Sequence, residues 1–234
     1  MVPLRDNVPT SITPYVTYGL IGANIGIFLY QLSLSPPELQ AFFQSAALVP
    51  CQLSGNIVSR CPIHTSGELP EWTTLITSQF LHGGFLHIAG NMLFLWIFGN
   101  NVEDRLGHIK FLIFYLACGV LAALSQWFFS QNSAIPSLGA SGAIAGVMGA
   151  YILRYPHSKV LTLIPLGFFI TTFELPAIFF LGFWFVQQAF YGIASLQAPS
   201  NIGMESGGVA YWAHAGGFFF GAILGPIFGL FRRD

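Results

Sequence analysis

The sequence predicts an all-α fold: a polytopic membrane bundle of six transmembrane helices, with a short buried fourth helix and a large first outer loop. Three observations carry this expectation. The 234 residues are 54% hydrophobic and only 7% charged, whereas a soluble domain has about 25% charged residues, so the chain cannot solvate a full surface in water. The charges also cluster. Residues 7–37, 72–102, 111–153, 175–204 and 206–231 contain no Asp, Glu, Lys or Arg, and a crossing needs about 20 mostly apolar residues. Finally, Arg5, Arg105, Lys110, Arg154, Lys159, Arg232 and Arg233 fall on one side of a six-span arrangement and Arg60 on the other. Basic residues mark the cytoplasmic side, which places both termini there.

Taken in order, the spans are expected near 15–33, 84–101, 110–129, 141–153, 168–191 and 210–230. Residues 1–14 form a cytoplasmic N-terminal segment and 15–234 a single domain. The first apolar stretch is span-length and lacks a small-residue cleavage site, which does not fit a cleavable signal. The 111–153 stretch holds two spans because Pro136, Ser137 and Gly139 can break a helix between them. Its second part, 141–153, is too short to cross alone and reads as a helix buried among others and entered by a re-entrant loop. The outer loop at 35–80 carries Pro36, Pro37, Trp72 and apolar residues suited to the membrane interface. The loop at 195–209 is rich in Ser, Gly and Pro and reads as mobile. Cys118 reads as inert packing, while Cys51 and Cys61 share the outer loop as either a disulfide or two free thiols. A net charge of −1 gives no reason to expect a nucleic-acid partner.

Polar groups inside a membrane bundle are costly and therefore functional candidates. Here they are His82, His87, Asn91, Ser141, Gln187, Gln188 and His214. Counting inward from Glu103 and Arg154 puts Asn91 and Ser141 about 18–20 Å above the inner boundary, and counting from Arg232 puts His214 at about 27 Å. The hydrocarbon core is about 30 Å thick, so all three lie in its outer half. Ser141, Ala145 and Gly149 share one face of span four, with Gly142 and Gly146 beside it; His214, Gly217, Gly221 and Gly225 share a stripe of span six. Small residues at this spacing let membrane helices approach backbone to backbone. If the two faces pack, a serine hydroxyl meets an imidazole that can act as its base. The oxyanion of acyl transfer needs donors, and His87, Asn91 and the N–H of Ser141 at a helix N-terminus are available. No carboxylate lies on the outer half of any span, so a dyad is favoured over a triad.

Each of these residues also has a plainer reading. Serine is common where membrane helices pack, Asn91 and His214 can serve as helix-to-helix hydrogen bonds, and Gln187 and Gln188 read as packing or gate residues. Four pieces taken together favour the chemical reading. His82-x4-His87-x3-Asn91, Glu103-x-Arg105, Gly139-Ala140-Ser141-Gly142 and Ala213-His214-x2-Gly217-x3-Gly221 occur in that order, and they resemble the rhomboid family of intramembrane serine proteases over residues 70–230. The resemblance implies Ser141 as nucleophile, His214 as base and His87 and Asn91 as oxyanion donors. It implies structural roles for His82, Glu103, Arg105, Gly139, Gly217 and Gly221. The outer loop before span six would be a cap and span five a lateral gate, with Phe179, Phe183 and Trp184 toward lipid. Single-span transmembrane proteins would be the substrates, and no metal or organic cofactor is implied. Two departures stand out. Trp72 is followed by Thr73 where some members have Arg, and Ala145 occupies a position where some carry a Tyr against the histidine, so that another ring such as Tyr211 or Trp212 supports it or none does. A membrane metalloprotease is disfavoured because His82 is followed by two glycines rather than Glu-x-x-His. A transporter is disfavoured because the polar groups form one outer cluster. A catalytically inactive rhomboid-like protein binding membrane clients is the alternative. The location implied is a bacterial inner membrane.

Overall fold

The computed structural model describes residues 1–55, 61, 70–166, 169–197 and 209–232. Strand β1 (Val2–Asp6) leads into helix α1 (Tyr15–Ser33). The first outer loop then folds into α2 (Pro36–Ala46), α3 (Pro50–Leu53) and α4 (Thr74–Thr77). Helices α5 (Phe85–Phe94) and α6 (Asn100–Leu106) join through a π-turn at Leu95–Gly99, and α7 (His108–Phe129) and α8 (Ser141–Arg154) follow. A hairpin of β2 (Lys159–Leu166) and β3 (Phe169–Pro176) precedes α9 (Ala177–Gln197) and α10 (Tyr211–Phe228). The protein is thus mostly helical. Helices His108–Phe129 and Ala177–Leu196 are each long and apolar enough to cross a membrane, and the pair Glu71–Phe80 and Phe85–Leu106, bent by 82°, provides a third candidate.

Helix α8 is the centre of the packing. Its 14 residues rise about 21 Å, and Gly142 to Tyr151 are all buried. Neighbouring α10 approaches it at backbone distance: a Cβ at Gly217 would overlap the carbonyl oxygen of Gly142, one at Gly221 that of Gly146, and one at Gly149 that of Phe218. The stripe of α8 that meets α10 is therefore Gly142–Gly146–Gly149, which leaves Ser141 at the edge of the contact. On its other side Gly146 abuts Cys118 of α7.

An all-helical chain is not what forms. Residues 159–176 make an antiparallel hairpin, and β1 pairs with β2 to give a three-stranded sheet ordered β1-β2-β3. The fifth long helix consequently starts at Ala177 rather than 168. Apolar content alone had extended the span backward. The local chemistry favours strand instead: Val160, Thr162, Ile164, Ile170, Thr171 and Thr172 are β-branched, and Pro176 sits just before the first helical residue, where proline is tolerated.

The two ends of the bundle are tied differently. At one end Glu103, fully buried, accepts the backbone N–H groups of Val16 and Thr17 at 2.9 and 2.7 Å and the Thr17 hydroxyl at 2.6 Å. It thereby caps α1, whose first-turn donors have no local side-chain partner, and it pairs with His108 at 2.6 Å. Asp104 accepts both donors of Ser11 and the N–H of Ile12. Arg105 donates to the carbonyl of Arg232 at 2.8 Å. Tyr151 bonds Asp6 and Ser158. Residues Arg5, Arg105, Arg154, Lys159 and Arg232 thus share one end. At the other end Leu48 meets the loop before α8 through an isolated bridge with Ser137, and Ser54 accepts a bond from the Trp127 indole of α7. Cys51 and Cys61 are joined by a disulfide. Trp72 stands 65% exposed. Arg60, Arg233 and residues 198–208 of the expected mobile loop at 195–209 lie outside the described residues, while residues 195–197 continue α9.

Candidate active site

The site forms where α8 and α10 both begin. Gly139 has φ of +123°, a conformation that side-chain-bearing residues rarely adopt. Its N–H donates to the Ser78 carbonyl at 2.9 Å, which pins the loop before α8 and delivers Ser141 as the first residue of that helix. His214 occupies the first turn of α10. Its Nε2 lies 2.7 Å from the Ser141 Oγ, a distance at which the hydroxyl can donate to the ring. The helix contact described above sets this geometry, because Ser141 and His214 lie in the first turns of the two helices whose glycines meet.

The other imidazole nitrogen is also engaged. His214 Nδ1 lies 2.8 Å from Oε1 of Gln188 on α9. Trp184, one turn earlier on the same helix, sets its ring against the imidazole at 5.5 Å between centroids. Tyr211 and Trp212, expected to be the rings at hand for His214, instead meet Tyr191 and Phe129. Trp184 therefore faces inward, whereas Phe179 and Phe183 are exposed along α9 as expected. Gln188 is buried and bonded to the imidazole, a specific polar partner that its reading as a packing or gate residue did not include. Its role was hard to see in the sequence because α9 is apolar all round, and such a helix does not reveal which face turns inward.

His87 and Asn91 lie one turn apart on α5. Gly83 donates its N–H to His87 Nδ1 at 3.3 Å, which in a neutral ring leaves the proton on Nε2. A Cβ at Gly139 would stand 2.8 Å from that Nε2 and 3.6 Å from the Ser141 Oγ. The width of one small residue thus separates His87 from the hydroxyl. Asn91 is 8% exposed, and its Nδ2 donor is buried with no hydrogen-bond partner among the described residues. His82 is buried, and its backbone exchanges two bonds with the side chain of Gln31, at 2.7 and 3.1 Å. Glu103 and Arg105 sit at the far end of the bundle, Glu103 bonded to α1 and His108, and Arg105 to the Arg232 carbonyl. Gly217 and Gly221 lie in the α8–α10 contact. Beside Ser141 a cavity of about 20 Å³ is lined by Ser78, Gln79, Gly139 and Ala210 among others, room for roughly one water. Among the described residues no three His, Cys, Asp or Glu side chains converge.

Residues 69–231 match the model of the Rhomboid domain. The chain is similar to the yeast (Saccharomyces cerevisiae) protein called rhomboid protein 1, mitochondrial, with 28% identity over 215 residues, 90% of this chain and 52% of that one. It is 37% identical to the Bacillus subtilis rhomboid protease GluP over 164 residues, 70% of this chain and 28% of that one. It is 32% identical to the chloroplastic rhomboid-like protein 11 of Arabidopsis thaliana over 143 residues, 60% of this chain and 50% of that one. The chain thus spans about half the length of two of these relatives and less of the third.

Proposed function

The chain belongs to the rhomboid family, and from that premise we propose that it is an intramembrane serine endopeptidase with Ser141 as nucleophile and His214 as general base. The observation that carries this reading is the 2.7 Å separation of Ser141 Oγ and His214 Nε2 inside an apolar bundle. A serine hydroxyl is a poor nucleophile without such a base.

In the first step His214 Nε2 takes the Oγ proton as Oγ adds to the scissile carbonyl carbon. The carbonyl oxygen becomes an oxyanion, and the donors left for it are His87 Nε2–H, Asn91 Nδ2–H and the Ser141 N–H, all fixed before reaction. Collapse expels the amine, which takes the proton from His214, and leaves an acyl ester on Ser141. A water then repeats the sequence and frees the acid; the small cavity beside Ser141 has room to deliver it.

Substrates in this reading are single-span membrane proteins cleaved near the outer face. The chain crosses a bacterial inner membrane six times, with the basic end cytoplasmic. The π-stacked ring pair Phe94–Phe180 joins α5 to α9 lower in the bundle, while Phe85, Leu86 and His87 at the outer end of α5 are exposed. An entry between these two helices, open toward lipid at its outer end, fits a transmembrane segment. The test is cleavage of a model transmembrane substrate by detergent-solubilised protein in the presence of a chelator. Cleavage should survive the chelator and vanish in Ser141→Ala and in His214→Ala. Persistence in Ser141→Ala would overturn the proposal.

A further inference from the structure

We infer that Gln188 is a positioning residue for the base, holding His214 in the tautomer that can accept the Ser141 proton; the inference rests on the function proposed above but is read from geometry of its own. A neutral imidazole carries one proton. For Nε2 to accept from Ser141 Oγ–H, that proton must sit on Nδ1, and the hydrogen bond made by Nδ1 decides which nitrogen holds it. Oε1 of Gln188 stands 2.8 Å from Nδ1 and can only accept, so it selects Nδ1–H. Nε2 then keeps its lone pair toward the hydroxyl 2.7 Å away.

Three contacts therefore fix the ring: Ser141 at one nitrogen, Gln188 at the other and Trp184 against its face. Two of the three come from one turn of α9. The choice of an amide suits the surroundings. A carboxylate would orient the ring as well, but a charge in an apolar bundle carries a desolvation cost, and an amide oxygen avoids it. Gln188 is 7% exposed, so water does not replace it readily. The site is in effect a serine–histidine pair with a neutral third member. That member lies on a helix whose other face, Phe179, Phe183, Val186 and Phe190, is exposed. Displacing the outer part of α9 removes both the ring support and the tautomer control, so the base is fully set only while α9 stays in its present seat.

The experiment uses the full chain in micelles, labelled with ¹⁵N-histidine, in the wild type, Gln188→Met (similar length, no acceptor) and Gln188→Glu (acceptor retained). The ¹⁵N shifts of the His214 ring, assigned by their loss in His214→Ala, report its tautomer without requiring turnover. The wild type should show Nδ1–H, Gln188→Met a mixture or Nε2–H, and Gln188→Glu a return to Nδ1–H. In turnover, Gln188→Met should lose about 10- to 100-fold in kcat, as expected for loss of a buried hydrogen bond, with KM nearly unchanged. Gln188→Glu should recover most of it. A wild-type ring in the Nε2–H form, or a Gln188→Met protein with the wild-type tautomer and kcat, overturns the inference. Should Gln188→Met fail to fold, the wild-type tautomer alone decides. Absence of cleavage in the wild type with the tautomer pattern intact would overturn the protease reading and leave this one standing.

Discussion

Among the described residues the buried amide of Asn91 has a donor with no acceptor, and an unmade hydrogen bond of that kind normally costs about 1–3 kcal/mol. A group kept in that state suits a partner that appears only during reaction. Asn91→Ala should therefore lower kcat by about 10²–10³, the usual effect of removing one oxyanion donor. Its thermal unfolding midpoint should hold or rise, because removing the donor breaks no resting bond and relieves the cost of burying it unpaired. A lowered midpoint with near-normal kcat would mark Asn91 as structural instead. At this scale the sequence was informative where chemistry belongs to a single side chain. Ser141, His214, His87 and Asn91 could be singled out as polar groups in an apolar chain. Gln188 could not be assigned, because it stands next to Gln187 and a rotation of about 100° per residue about the helix axis decides which of the two meets the histidine.

Among elements, the contact of α8 with α10 sets the distance between Ser141 and His214. Gly221→Val should force the two backbones apart, since even a Cβ there overlaps the carbonyl of Gly146. Overpacking of this kind costs about 1–3 kcal/mol, so the unfolding midpoint should fall and cleavage with it. Gly22→Ala in α1, where a Cβ meets nothing within 4 Å, is the matched control and should behave as wild type. The glycine spacing was readable because small residues at helical intervals have one common use in a membrane bundle. The hairpin was not readable as such, because residues 160–173 lack charge and an apolar run of that kind fits either a strand pair or the first turns of a span.

For the molecule as a whole, Glu103 joins α1 to the turn between α6 and α7 and so closes the basic end of the bundle. Glu103→Ala would leave the N–H groups of Val16 and Thr17 without their acceptor, each at about 1–3 kcal/mol. The unfolding midpoint should drop well below that of Glu103→Gln, which keeps one acceptor oxygen; equal midpoints would argue that water satisfies these groups. By itself the sequence determined the solvent, through the scarcity of charge; the share of helix, through the long apolar runs; and the candidate nucleophile and base, through polar groups where polarity is costly. Each of these follows from composition or local spacing. Only the tertiary structure decided that β1 closes a sheet with the 159–176 hairpin, that Glu103 caps a distant helix, and that Gln188 and Trp184 hold His214. Those outcomes depend on which faces of separate helices meet and on hydrogen bonds between residues far apart in the chain, and neither is fixed by spacing along it.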